Sequence, residues 1–207
     1  MTMFLYPENN LTEVVQQLND GNTIFKIKKV DNTDLERASF GGFSVGVSGS
    51  EQLSYLRANS VTENRTLLVY TYMVYDKRTS MQVGFFTLRL IDNQFLNKTL
   101  FNGSIGIKLD YFLVNDEYRR SKEGLEIEKN AKIEIELFNQ VIAPLVRTIS
   151  DTTDAQILFV NMPKKYGMTK LFKKDLQFNS KLGAAPLVSV FGTGNAFSSY
   201  LYKHAKQ

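Results

Sequence analysis

The 207 residues of this chain have the length of one domain, and a hydrophobic share of 43% is enough to bury a core. The absence of cysteine excludes disulfides, thiolate metal sites and a cysteine nucleophile, and a single histidine, His204, argues against a histidine metal cluster or a Ser-His-Asp triad. The net charge of +4 favours the approach of a polyanion without identifying one.

The first residues of the chain, Met1 to Glu8, contain neither the basic nor the apolar segment of a secretory signal. No apolar run of the sequence is long enough to span a bilayer. We therefore expect a cytoplasmic protein without a membrane partner.

The predicted elements begin with a helix and a strand. Apolar spacing predicts a helix over residues 12–19, with Asn10 and Thr12 as candidate caps. Alternation of apolar with polar or basic residues predicts a half-buried strand over residues 23–30.

A second helix and a hairpin follow the Gly-rich segment 40–46. Ser48 stands three residues before Glu51, which is the spacing of a capping box, and predicts a helix over residues 50–59. Two β-rich runs then predict adjacent antiparallel strands, since the polar connection between them has the length of a hairpin loop. These strands are expected over 66–75 and 81–91.

The next predicted elements are a central strand and a long helix. Residues 105–114 form a strand whose second half is almost continuously apolar, which is typical of a strand covered on both faces. A polar loop over 115–123 leads to apolar residues spaced by threes and fours from 127 to 149, which indicate a helix. Pro144 predicts a kink, or an end near Ala143, because it cannot donate a backbone hydrogen bond.

The remaining segments complete a mixed sheet. A short buried strand is expected over 155–161, and a strand, helix, strand order predicts a right-handed parallel connection. A short helix over 166–174 and strands over 187–191 and 198–203 close the chain. The fold class is therefore α/β, with antiparallel N-terminal strands followed by a βαβ core flanked by helices, in one domain over residues 1–207.

Three local motifs carry a family resemblance. They are Phe43-Ser44-Val45-Gly46 followed by the helix ending Leu56-Arg57, the run Val83-Gly84-Phe85-Phe86-Thr87-Leu88, and the strand end Asp110-Tyr111-Phe112-Leu113-Val114. Together with the element order, they resemble the GNAT family of acetyl-CoA-dependent acyltransferases, in the branch of toxins from bacterial toxin-antitoxin pairs. The resemblance implies a GNAT-like mixed sheet and acetyl-CoA as co-substrate.

The resemblance also implies a phosphate-binding segment. Arg119 to Gly124 matches the family's loop of Gln or Arg, two variable residues, Gly, one variable residue and Gly or Ala, with Lys122 in place of the first Gly. Unpaired N–H groups and the macrodipole favour an anion at such a helix start. The competing interpretation is a solvated charged loop. The cofactor contacts implied are Phe112, Leu113, Val114, Arg119, Arg120, Ser121, Lys122, Glu123, Gly124, Leu125 and Asn161.

The catalytic residues stay open. On the family pattern Phe172 replaces a tyrosine whose hydroxyl protonates the departing thiolate, so Tyr166 or a water would have to act, or no transfer occurs. Asn161 matches a position that bonds the pantetheine arm, and a turn cap is its alternative. The candidate general bases, among which the sequence does not choose, are Asp110, Asp116 and Glu117.

Two functions are therefore predicted. The first is an N-acetyltransferase that passes an acetyl group directly to an amine of an aminoacyl-tRNA, a protein or a small molecule. The second is a catalytically degenerate GNAT-like module that binds a nucleotide, nucleic acid or protein. By analogy, the partners considered are tRNA, an antitoxin protein and a second copy of the chain. A lysine-rich run at 164–174 lies near the expected acceptor side, and a solvated helix is its alternative.

Overall fold

The computed structural model describes residues 8–46, 49–64, 69–91, 106–121, 132–153, 157–163, 171, 175–176 and 197–204. Within these residues the strands are β1 (Phe25–Lys29), β2 (Val69–Asp76), β3 (Gln82–Ile91), β4 (Gly106–Val114), β5 (Ile157–Pro163) and β6 (Phe197–His204). The helices are α1 (Glu8–Gly21), α2 (Asn32–Arg37), α3 (Ser50–Ala58), α4 (Ser60–Glu63), α5 (Asp116–Arg120), α6 (Ile133–Leu137) and α7 (Ala143–Thr153). Among the described helices, none combines the length and the apolar composition that a transmembrane span requires.

The six strands form one sheet in the order β1-β2-β3-β4-β5-β6. β1 and β2 are antiparallel, with Phe25 opposite Asp76, and β5 and β6 are antiparallel as well. β4 and β5 are parallel, with Gly106 opposite Ile157 and Leu109 opposite Val160. The predicted fold class is confirmed, because antiparallel N-terminal strands precede a parallel β4–β5 connection that contains a helix.

The chain divides into two compact units. Unit 1 comprises residues 1–88 and 111–145, and unit 2 comprises residues 89–110 and 146–207. The single domain over residues 1–207 stays a prediction.

Unit 1 has a core cluster on one face of its strands. Buried side chains of β2, β3 and α3 form it together with residues that follow β1 and α2, among them Val30, Leu56, Met73 and Phe85. Tyr111 and Leu113 of β4 pack against this cluster while remaining half-buried. The expectation of a core strand is confirmed for Phe112 and Val114, which are buried, whereas Tyr111 and Leu113 are only half-buried.

The outer edge of β1 is closed by amide side chains. The Asn19 amide donates to the carbonyl of Ile27 at 2.9 Å and accepts from its N–H at 2.7 Å, and Asn22 accepts from the N–H of Phe25 at 2.7 Å. Unpaired backbone N–H and C=O groups at a sheet edge can pair with a strand of another molecule. The side chains of α1 and of the turn after it prevent this at β1.

The long helix passes through Pro144 instead of ending there. α6 and α7 are joined by a π-helical turn, Phe138–Ile142, whose flanking residues Leu137 and Ala143 are both helical. The predicted end near Ala143 is wrong. Pro144 leaves the Gln140 carbonyl without its usual donor, and the Asn22 side chain donates to that oxygen at 3.3 Å. A donor from outside the helix therefore compensates for the missing bond.

Other local predictions also differ from the structure. α1 begins at Glu8, so Asn10 and Thr12 lie inside it rather than capping it. The N-cap of α3 is Gly49 and no side chain caps it, so the capping box from Ser48 is wrong. The predicted helix over 166–174 and the strand over 187–191 lie outside the described residues, apart from Leu171.

Candidate functional site

The carboxyl end of β4 lies beyond the β4–β5 ladder. The parallel pairing ends at Leu109, so Phe112, Leu113 and Val114 belong to β4 without belonging to that ladder. Phe112 and Val114 are buried, and Leu113 is half-buried. The backbone of this stretch is the part of β4 that the resemblance assigns to a cofactor.

Gly84 of β3 sets how closely β3 approaches this part of β4. A Cβ at position 84 would lie 2.4 Å from the Leu113 carbonyl oxygen, a distance that no side chain tolerates. The Cβ of a larger residue would therefore push the β4 backbone away at Leu113. This gives a physical reason for glycine in the Val83-Gly84-Phe85-Phe86 motif.

Asn115 fixes the point where β4 turns into α5. Its side chain is fully buried and accepts from the N–H groups of Ser44 at 2.9 Å and Glu117 at 3.1 Å. Its amide nitrogen donates to the carbonyls of Gly42 and Gln82, both at 2.8 Å. One side chain thus connects the Gly-rich segment, the start of β3 and the N-terminus of α5.

Tyr118 anchors α5 to the β2–β3 turn. Its buried hydroxyl donates to Asp76 Oδ2 at 2.7 Å, while Asp76 Oδ1 accepts from the N–H groups of Arg78 and Thr79 at 2.8 Å each. Burial alone would raise the pKa of Asp76, but the hydrogen bonds from Thr79 and Tyr118 outweigh burial and lower it. Burial and the nearby carboxylate raise the pKa of Tyr118, so it is a neutral donor.

The basic residues of the expected phosphate segment fall partly on α5. The structure places Arg119 and Arg120 in its last turn, so the expectation of a loop over the whole of 115–123 is wrong. Asn115 is the reason, because it caps α5 by accepting from Glu117. Ser121 ends the helix, and its hydroxyl donates to the Tyr118 carbonyl at 3.0 Å.

Arg119 is held by carboxylates. Its Nη2 lies 2.5 Å from Glu134 Oε1, and its Nε lies 3.7 Å from Asp116 Oδ1. The Arg119 side chain is nevertheless 41% exposed, so it remains accessible to an anion from solvent.

The candidate site residues distribute over both units. Residues 112–114 and 119–121 belong to unit 1, and Asn161 belongs to β5 in unit 2, opposite Tyr200. Lys122, Glu123, Gly124 and Leu125, like Tyr166 and Phe172, lie outside the described residues. The assignment of these residues to a cofactor stays a prediction.

The candidate general bases differ in their surroundings. The Asp110 side chain is only 6% exposed, accepts from Arg89 Nε at 2.5 Å and forms an ion pair with Lys108. Its carboxylate is therefore occupied by two cationic side chains. Asp116 and Glu117 open α5 in its first turn, where the helix N-terminus stabilises a carboxylate. Among the described residues no cluster of metal ligands occurs.

Sequence reasoning missed two residues of this region. Asn115 belongs to the predicted polar loop, although an asparagine followed by Asp116 and Glu117 is a helix-start signal. No sequence pattern indicates Glu134, because only the fold brings it into contact with Arg119.

The fold is that of the GNAT acetyltransferase toxins, as comparison with solved structures shows. AtaT complexed with acetyl-methionyl-tRNAfMet is 15% identical with a TM-score of 0.57, covering 88% of this chain and 95% of that one. A mutant AtaT toxin bound to the C-terminus of the antitoxin AtaR and acetyl-CoA is 15% identical with a TM-score of 0.54, covering 88% and 94%. A KacT mutant is 13% identical with a TM-score of 0.55, covering 89% and 96%.

At identities this low, the TM-scores show similarity of fold alone, and the resemblance based on the sequence motifs is confirmed at that level. No family model matches the sequence, and no curated protein matches it.

Proposed function

We propose that the chain is an acetyl-CoA-dependent N-acetyltransferase that acts on the amino group of an aminoacyl-tRNA. The observation that carries the proposal is the end of the β4–β5 ladder at Leu109. Residues 112–114 therefore lie outside that ladder. They directly precede Asn115, whose side chain connects the Gly-rich segment with β3. A pantetheine arm carries amide groups, so it can pair with a strand backbone as another strand would.

The solved structures of similar fold support the substrates. AtaT has been seen with an acetylated methionyl-tRNA and, in another complex, with acetyl-CoA and part of an antitoxin. We extend acetyl-CoA, tRNA and an antitoxin protein to this chain as part of the proposal. Its net charge of +4 suits a polyanionic substrate such as tRNA.

The proposed reaction is direct transfer. The neutral amine nitrogen attacks the thioester carbonyl, the C–S bond breaks, CoA leaves as a thiolate that takes up a proton, and the amine loses one. The role of residues 112–114 is to hold the thioester in line for attack, which is a gain from orientation. Arg119 would contact a phosphate of CoA through its exposed guanidinium.

The second candidate function is a GNAT-like module that binds its ligand without turnover. Phe172 favours it, because a phenylalanine has no proton to give to the leaving thiolate at the position where the family has tyrosine.

Turnover decides between the two functions. The purified chain is incubated with acetyl-CoA and charged tRNA, free CoA is measured by thiol titration, and the aminoacyl group is analysed by mass spectrometry after hydrolysis. The proposal predicts CoA release together with an N-acetylated amino acid, and both should depend on the chain and on charged tRNA. Binding of acetyl-CoA without either product would refute transfer to an aminoacyl-tRNA and favour the binding module.

A further inference from the structure

In the proposed function, Arg119 binds a phosphate of CoA. Its guanidinium already contacts two carboxylates. The nearer is Glu134, whose Oε1 lies 2.5 Å from Nη2, and the farther is Asp116 at 3.7 Å from Nε. The Glu134 side chain is 20% exposed and the Arg119 side chain 41%, so water reaches both. An anion that arrives at Arg119 therefore meets a contact that it has to replace.

We infer that Glu134 is an internal competitor of the CoA phosphates, which lowers the affinity for CoA by occupying Arg119 whenever no phosphate is bound there. The inference rests on the proposed function, because it needs CoA as the ligand. Glu134 is a positioning residue in this account, since it acts through Arg119 and not on the reacting atoms.

The exchange is feasible because Glu134 has a second source of stabilisation. It lies in the first turn of α6, directly after Ile133, the first residue of the helix. A carboxylate at a helix N-terminus interacts favourably with the macrodipole, so Glu134 remains stabilised after it releases Arg119. What is lost in the exchange is one ion pair between partly exposed side chains, and such pairs are weak.

Glu136 supplies a matched control on the same helix. Its carboxylate accepts from the Gln140 side chain at 2.7 Å, one turn further along. Glu136→Gln and Glu134→Gln change the net charge equally and lie two residues apart. They differ in that Glu134 contacts Arg119 and Glu136 accepts from Gln140.

The test is calorimetric titration of the full chain and its variants with CoA and with pantetheine, which lacks the phosphates. We expect Glu134→Gln to bind CoA about two- to fivefold more tightly, the change that a partly exposed ion pair corresponds to. Pantetheine affinity should not change, and Glu136→Gln should bind both ligands like the unaltered chain. If Glu134 only stabilised the fold, Glu134→Gln would change the affinities for CoA and for pantetheine equally.

A second variant protects the test against misfolding. Glu134→Asp keeps the charge at the helix start but draws the carboxylate back by one methylene, so it too should tighten CoA binding. Equal tightening by Glu136→Gln, an equal effect on pantetheine, or no change in either Glu134 variant would overturn the inference while CoA binding itself persists. If the unaltered chain binds no CoA, the proposed function fails and the inference fails with it.

Discussion

Asn115→Ala removes the side chain that connects the Gly-rich segment, β3 and α5. It eliminates four hydrogen bonds, from Ser44 and Glu117 and to Gly42 and Gln82, at a fully buried position. At roughly 1 kcal/mol for each bond, the free energy of unfolding should fall by about 3 to 4 kcal/mol, the lower figure allowing for an entering water. For a chain of this length the thermal midpoint falls by about 6 to 16 °C.

Urea unfolding followed by circular dichroism measures this loss. Asn32→Ala is the control, because Asn32 is exposed at the start of α2, and we expect a change within about 0.5 kcal/mol. A loss below about 1 kcal/mol for Asn115→Ala would refute the argument that this residue fixes the end of β4.

Asn115→Asp separates the accepting from the donating half of the side chain. The carboxylate still accepts from Ser44 and Glu117 but faces the carbonyls of Gly42 and Gln82 without a hydrogen to donate. Burial beside these carbonyls should raise its folded-state pKa. A raised pKa gives stability that is present below the unfolded pKa and is lost as the pH rises through the folded pKa. The deficit of this variant should therefore grow as the pH is raised from about 4 to 7.

Two further substitutions test the neighbouring contacts. Tyr118→Phe removes the donor to Asp76 and should cost about 1 to 2 kcal/mol. Tyr118 helps to lower the pKa of Asp76, and a lowered pKa gives stability that is lost as the pH falls through the folded pKa. In Tyr118→Phe the pKa of Asp76 is lowered less, so urea unfolding should show this loss of stability beginning at a higher pH. Gly84→Ala places a Cβ against the Leu113 carbonyl and should cost about 3 kcal/mol by thermal unfolding. Gly21→Ala, with open space around the new Cβ, should change little, and equal effects would contradict the close approach.

Periodicity predicted the elements that bury a regular face. The β2–β3 hairpin, β4 and β6 were all predicted to within a few residues, because alternation and apolar runs reflect burial in a sheet. α2 was missed, since its capping box pairs Asp31 with Asp34 rather than with the usual Glu or Gln. Pro144 predicts a kink or an end near Ala143, and no sequence rule foresees that Asn22, far away in the chain, donates to the Gln140 carbonyl.

The candidate site was only partly predictable. The family resemblance implies residues 112–114 and Arg119, and their assignment to a cofactor stays a prediction. Three of the four partners of Asn115 (Gly42, Ser44 and Gln82) and the contact between Arg119 and Glu134 depend on tertiary structure, so no local pattern reveals them.

Binding of acetyl-CoA tests the central claim most directly. The thermal midpoint of the chain is measured with increasing acetyl-CoA and, separately, with the same concentrations of ATP, which has phosphates but no pantetheine arm. At about 100 times the dissociation constant, acetyl-CoA should add about 2.7 kcal/mol, which is roughly 5 to 11 °C for a chain of this length. We predict a saturable rise with acetyl-CoA that exceeds any rise with ATP. An unchanged midpoint at saturating acetyl-CoA would contradict a cofactor site at the end of β4.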